Sequence, residues 1–366
     1  MGAIAAAFPQ DYASARERFR SAATARGAAL AEHVHPRQRG PHGEPLAMDV
    51  ALLSGADESG LLVVSSGTHG VEGFCGSGIQ VALLEDPSVT AALAASRASV
   101  ALVHAVNPYG FAHLRRTNED NIDLNRNFHD FGKPLERNAA YAEVHGFAVP
   151  STWPPGADTE QRLGAYLAQH GQAKLQAAIT TGQHDFPDGL FYGGREPAWS
   201  NATLRSVLRS LGASRDRLGW IDIHTGLGPP GHGEKIFLGP NDDAMLARTR
   251  AWFGIDVTSF YTGSSTSAAV TGSLASVAVE ECPRVRFAGI GLEFGTVPLA
   301  HVLQALRADQ WLANQPAGAS PPQREPIKRA LRDAFYIDTD EWKAMVYGQA
   351  RVAVLQALRG LSTDAP

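Results

Sequence analysis

SSGTHGVEGFCGSG, residues 65–78, directly follows the apolar run Leu61-Leu62-Val63-Val64. That run has no polar interruption and is bounded by Gly60 and Ser65, so it predicts a buried strand. From Gly73 to Glu85 apolar residues return at helical spacing. Between strand and helix stand His69 and Glu72, three residues apart in a glycine-lined turn. In an open α/β sheet, ligands bind outside the carboxyl ends of the strands. Histidine and glutamate both bind zinc, and two histidines with one glutamate leave a coordination position open for chemistry. An isolated H-x-x-E pair arises often by chance, so the decision falls to the rest of the chain.

Upstream, residues 10–27 predict a polar helix ending at Gly27, and Ala28–Val34 and Leu46–Leu53 predict an antiparallel strand pair around the turn GPHGEP. Downstream come a helix at Pro87–Ser96 and a strand at Ser99–Val106 that runs into the turn Asn107-Pro108-Tyr109-Gly110. Residues 129–200 are dense in Gly, Pro and aromatics, with a helical piece at Thr159–Thr181, and read as an excursion from the sheet. After it, helices are expected at Trp199–Leu211, Asp242–Phe253 and Val297–Trp311, and strands at Trp220–Ile223, Lys235–Leu238 and Phe287–Leu292. The Gly/Ser/Thr-rich stretch Tyr261–Ser276 is expected to be a mobile loop. The Pro-rich AGASPPQREP is expected to separate these elements from helices beginning at Ile327 and spanning Asp340–Leu361. This alternation predicts an α/β fold: a mixed, mainly parallel twisted sheet with helices on both faces. One domain is expected over 1–366, with a core at about 28–315, the excursion at 129–200 and C-terminal helices at 320–362.

Composition narrows the function. With 44% apolar and 19% charged residues the 366-residue chain is globular. A net charge of −5 with no basic cluster gives no footprint for nucleic acid. The two cysteines, Cys75 and Cys282, form no disulfide framework, read as small buried hydrophobes, and fit a reducing compartment. MGAIAAAFPQ lacks the basic start and the apolar length of a secretory signal, and no segment is long and apolar enough to span a membrane. A cytoplasmic location is expected. The sequence carries no signal for an oligomeric state.

Each of four apolar strands leads to residues able to do chemistry. Strand 61–64 leads to His69 and Glu72, strand 99–106 to Asn107 and the arginines beyond it, strand 220–223 to His224, and strand 287–292 to Glu293. His224, in WIDIHTGLG, would complete a His₂Glu set; read alone, it is equally a core histidine bonded to backbone. Glu293 is then a spare carboxylate for taking a proton from water at the open position. NPYGFAHLRRTNEDNIDLNRNF, residues 107–128, carries Arg115, Arg116 and Arg126, with Asn125 beside the last. A guanidinium fork suits a carboxylate or a developing oxyanion, though composition equally allows a solvated turn with surface arginines.

DLNRNF after an NPxGF turn, with H-x-x-E, a distant single His and a strand-end Glu in that order, resembles the zinc carboxypeptidases from about Leu61 to Gly295. The HGVEG, NEDNIDLNRNF, YGG and DIHTGLG phrases are most similar to a bacterial branch of that superfamily filed as a domain of unknown function. The resemblance implies a zinc carboxypeptidase-like α/β/α fold and one zinc per chain on His69, Glu72 and His224. It implies that Arg116, nine residues before Asn125, polarises the scissile carbonyl, with Arg115 as its rival. It implies Asn125 and Arg126 as the clamp for the substrate's terminal carboxylate and Glu293 as general base and then acid. Tyr261 is the candidate for the family's substrate-covering tyrosine, although it stands farther from Glu293 than the pattern wants, and Glu293 sits in LEFGT rather than the commoner context. The expected substrate is a small peptide or an N-acyl amino acid. The alternative is a deacylase of the aspartoacylase or desuccinylase kind on the same metal site. A TIM-barrel amidohydrolase, suggested by His33-x-His35, lacks the eight regular β/α units it needs, and no G-x-S-x-G elbow supports a serine hydrolase. The aromatic segment 183–194 adds His184 and Tyr192 as candidates for the pocket wall.

Overall fold

All six residues of the strand at Gly60–Ser65 are buried in the computed structural model, which describes residues 2–315 and 319–363. Its side chains alternate between two cores. Leu62 and Val64 face one hydrophobic cluster, and Leu61 and Val63 face the other. An uninterrupted apolar strand is what a sheet covered on both faces requires.

The seven strands are β1 (Ala29–Arg39), β2 (Pro45–Leu53), β3 (Gly60–Ser65), β4 (Ala98–His104), β5 (Arg217–Pro230), β6 (Gly233–Phe237) and β7 (Arg286–Gly295). They lie in the order β1-β2-β4-β3-β5-β7-β6. The central four, β4, β3, β5 and β7, run parallel. β1 and β2 add antiparallel at one edge and β6 at the other. This open mixed sheet is the expected class and excludes a closed barrel.

Helices Tyr12–Ala25, Gly73–Glu85 and Asp340–Ser362 contribute Phe19, Ile79 and Val354 to one face. Helix Trp199–Gly212 contributes Leu204, Val207 and Leu208 to the other. The excursion holds helices Ala139–Ala148 and Ala157–Thr180, and its Tyr141, Val144, Leu175 and Ile179 join the first cluster.

Three expectations need correction. β5 continues past Ile223 to Pro230, because β7 pairs with it through Thr225↔Phe294 before the register shifts. The NPYG turn is also a helix start: Asn107 caps the short helix Pro108–Ala112 by accepting from the Gly110 amide at 2.8 Å. The Pro-rich stretch does not delay the next helix to Ile327. That helix spans Pro321–Phe335 with prolines in its first turn, where the missing N–H costs nothing. Residues 317 and 318 of that stretch, and 316 before it, lie outside the described residues.

Candidate metal centre

The turn after β3 is shaped by glycine. Gly67 has φ +64°, a left-handed conformation that favours it. A Cβ at Gly70 would lie 2.1 Å from the Gly110 carbonyl carbon, so the HGVEG turn can seat only with glycine there. Seated, the Gly70 amide donates to the Arg116 carbonyl at 3.1 Å and the Val71 amide to that of Arg115 at 2.8 Å. The turn carrying His69 and Glu72 is thereby docked on the loop carrying Arg116.

His69, Glu72 and His224 converge, with one donor atom from each lying within 4.8 Å of the others. His69 Nδ1 is 2.8 Å from Glu72 Oε1, and His224 Nδ1 is 3.2 Å from Glu72 Oε2. The two Nδ1 atoms are 3.3 Å apart. Exposure is 4% for His69, 1% for Glu72 and 7% for His224. Each imidazole turns its other nitrogen to a buried aspartate: His224 Nε2 to Asp222 at 2.5 Å, His69 Nε2 to Asp123 at 3.1 Å. Ser65 and Thr68 hydroxyls hold Asp222 at 2.6 and 3.0 Å. At His224 the Asp222 carboxylate keeps a proton on Nε2 and leaves the Nδ1 lone pair facing the centre, the outer support metal-ligating histidines use. Two imidazole nitrogens and one carboxylate with a position left over fit a zinc ion.

Burial works against charge throughout the cluster. It would raise Glu72, but the adjacent His69 and His224 outweigh it and hold that carboxyl well below the usual range. Burial would lower His224, but Asp222 and Glu72 raise it well above an ordinary imidazole. Asp123 is held far down, against burial, by Arg116, His69 and Arg126.

Glu293 is the register partner of His224 across β5 and β7. It lines the same cavity as the three residues but stands outside the converging set. Its Oε1 accepts from the Leu227 amide at 3.0 Å. Burial, reinforced by the charge on Glu72, pushes its carboxyl up to about 8.

The two neighbouring arginines part company. Arg116 enters the cluster, with Nε 3.0 Å from Asp123, Nη1 3.0 Å from Glu72 and Nη2 2.8 Å from His69 Nε2. Arg115 points away, to Asp309 at 3.2 Å and Asn121 at 3.0 Å. Asn125 and Arg126 line the cavity. Asn125 Oδ1 accepts from the Leu274 amide at 3.0 Å. Arg126 donates from Nε and Nη2 to the Thr180 carbonyl at 2.8 and 2.5 Å, and from Nη1 to the Asn125 carbonyl at 2.8 Å. Burial lowers it to about 10.

Tyr261 is not brought to the cavity. Its hydroxyl donates to the Gly239 carbonyl at 3.2 Å, and its neighbour Phe260 lines the wall instead. From the segment 183–194 it is Phe191 that faces the cavity, not His184 or Tyr192; His184 Nδ1 is 2.6 Å from the Gly194 carbonyl. His35, of the His33-x-His35 pair, is paired with Glu119 at 2.8 Å.

Asp123, Asp222 and Phe191 escaped the sequence reading. Asp222 had a signal: it precedes His224 by two residues on one strand, which places both on the same face.

The fold, rather than the site, can be compared with solved structures. Bovine thrombin-activatable fibrinolysis inhibitor, solved in complex with tick carboxypeptidase inhibitor, aligns over 97% of both chains with a TM-score of 0.51 at 11% identity. Carboxypeptidase A from Helicoverpa armigera aligns over 94% of this chain and 73% of its own, with a TM-score of 0.44 at 12% identity. An aspartoacylase family protein from Mesorhizobium loti aligns over 78% and 66%, with a TM-score of 0.36 at 14% identity. The first of these shows the carboxypeptidase-like α/β fold. No curated protein matches the sequence. Residues 8–349 match the family described as "Protein of unknown function (DUF2817)", and the chain belongs to that family.

Proposed function

We propose that the protein is a zinc-dependent hydrolase, carboxypeptidase-like, that cleaves an amide bond next to a free carboxylate. The observation that carries this reading is the convergence of His69, Glu72 and His224 in one cavity with a spare glutamate and two arginines. One zinc per chain would be held by those three residues, where it would supply a Lewis acid and ease the ionisation of water.

The remaining work falls to side chains. Glu293 Oε1 is occupied by the Leu227 amide, which leaves Oε2 to take the proton of the attacking water and pass it to the leaving amine. Arg116 meets the charge that develops on the carbonyl oxygen; one such donor is worth roughly 3 kcal/mol. Arg126 has five N–H donors, and the carbonyls of Thr180 and Asn125 take one each from Nε, Nη2 and Nη1. One N–H remains on each terminal nitrogen to meet the oxygens of a carboxylate. Asn125 stands beside it, and together they fix the substrate's register. The expected substrates are small peptides or N-acyl amino acids, met in the cytoplasm. Gln176, Thr180 and Phe191 of the excursion wall the cavity, which favours short substrates and makes N-acyl amino acid deacylation the second reading.

The test is a screen of zinc-loaded protein against short peptides and N-acyl amino acids by mass spectrometry, followed by kinetics on matched free-acid and amidated substrates. Binding shared by ground and transition states changes KM, while binding confined to the transition state changes kcat. Arg126→Ala should raise KM and narrow the preference for acid over amide. Arg116→Ala should lower kcat. An Arg126→Ala variant with its preference for the acid intact would remove the main support for the clamp.

A further inference from the structure

Phe191 faces both arginines of the site. Its ring centroid lies 4.9 Å from Arg116 Cζ and 5.3 Å from Arg126 Cζ, and all three side chains line the one cavity. A ring face attracts a guanidinium without consuming any of its N–H donors. A carboxylate in the same place would compete with the substrate for those donors. Among the described residues no carboxylate ion-pairs directly with Arg126, though the charge of Asp123 reaches it; its hydrogen bonds go to backbone carbonyls and its face to this ring.

The backbone is distorted to put the ring there. Phe191 has φ +51°, a left-handed conformation that a bulky side chain rarely adopts. The surroundings hold it in place. The Gln183 amide donates to the Phe191 carbonyl at 3.2 Å, the Leu190 amide donates to the Tyr141 hydroxyl at 2.6 Å, and the Asp123 amide donates to the Tyr192 carbonyl at 2.8 Å. Strain that its surroundings over-determine points toward function. The last of these bonds also links the Phe191 turn to Asp123, the aspartate that orients His69 and pairs with Arg116.

We propose that Phe191 is a positioning residue that helps hold the guanidiniums of Arg116 and Arg126 as a pair while consuming none of the terminal N–H groups that their other partners leave for substrate. This rests on the hydrolase reading for its catalytic consequence, but the hold itself can be read without turnover. In protein labelled with ¹⁵N-arginine, the ring current of Phe191 should displace the Nε–H resonances of Arg116 and Arg126, assigned with Arg116→Lys and Arg126→Lys. Phe191→Leu, which keeps an apolar side chain but no ring, should return the Arg126 resonance to an ordinary arginine position and the Arg116 resonance part of the way, since the Phe335 ring centroid also lies 6.0 Å from Arg116 Cζ. Phe191→Tyr should retain the displacement. With N-acetyl-leucyl-leucine and its C-terminal amide as probes, Phe191→Leu should reduce the acid-over-amide preference about tenfold while zinc content stays unchanged, and Phe191→Tyr should restore the preference. Undisplaced resonances in the wild-type chain would overturn the proposal. So would equal impairment of the leucine and tyrosine variants. If the wild-type protein turns over neither probe, the hydrolase reading is what suffers, and the resonances still decide whether the ring holds the pair.

Discussion

Glu293 combines two influences of the same sign, burial and the nearby Glu72 carboxylate, and both favour its protonated form. In metal-free protein the folded chain therefore keeps a proton, up to about 8, that the unfolded chain releases near 4.5. This contribution to stability is fully present below 4.5 and is lost as pH rises through about 8. The melting temperature of the metal-free protein should fall over that window, and Glu293→Gln, which cannot titrate, should flatten the fall. A variant with the wild-type slope would show that other groups dominate. The residues legible in the sequence were those whose type stands out at the end of an apolar run: His69, Glu72, His224 and Glu293. Asp222 was hidden inside WIDIH, because its role exists only once β3 lies alongside and brings Ser65 and Thr68 to it. Phe191 was hidden because its direction depends on a backbone conformation that composition does not encode.

Arg115 shows what the helices do for the site. It is 3.2 Å from Asp309 on helix Leu299–Ala313, and Asp309 is 2.6 Å from Lys328 on helix Pro321–Phe335. Lys328 also donates to the Leu114 carbonyl at 3.1 Å. Two helices thus grip the loop whose next residue, Arg116, enters the cluster. Asp309→Ala would leave two cations facing each other with little water, so it should cost about 3 kcal/mol in denaturant unfolding. A loss well under 1 kcal/mol would mean that the grip is dispensable. Resemblance preferred Arg116 with Arg115 as its rival, and the two side chains leave the loop toward different partners, Arg116 alone toward the cluster. Elements with a clear period were legible to within a few residues, as in the helices at Trp199–Gly212 and Asp340–Ser362. What misled was local chemistry with two readings: the prolines that open a helix at Pro321, and TGLGPP, which looks like a break yet continues β5.

The three converging residues come from the turn after β3 and from within β5, neighbours in the sheet but far apart along the chain. An ion bound there would tie the turn after β3 to β5 and stabilise the folded state by mass action, about 4 kcal/mol when free zinc is at a thousand times its dissociation constant. Zinc should therefore raise the melting temperature, and His224→Ala should abolish the increment together with stoichiometric zinc in elemental analysis. An increment surviving in that variant would place the ion elsewhere. The order of strands also sets a timetable. As the chain leaves the ribosome, His69 and Glu72 emerge first, His224 much later, and Glu293 after both, on a strand that must slot between β5 and the edge strand β6. A nascent chain can gather these three converging side chains before the glutamate beside them has been translated. If the proposed hydrolysis is right, a chain still being made would hold its metal before it could cut anything.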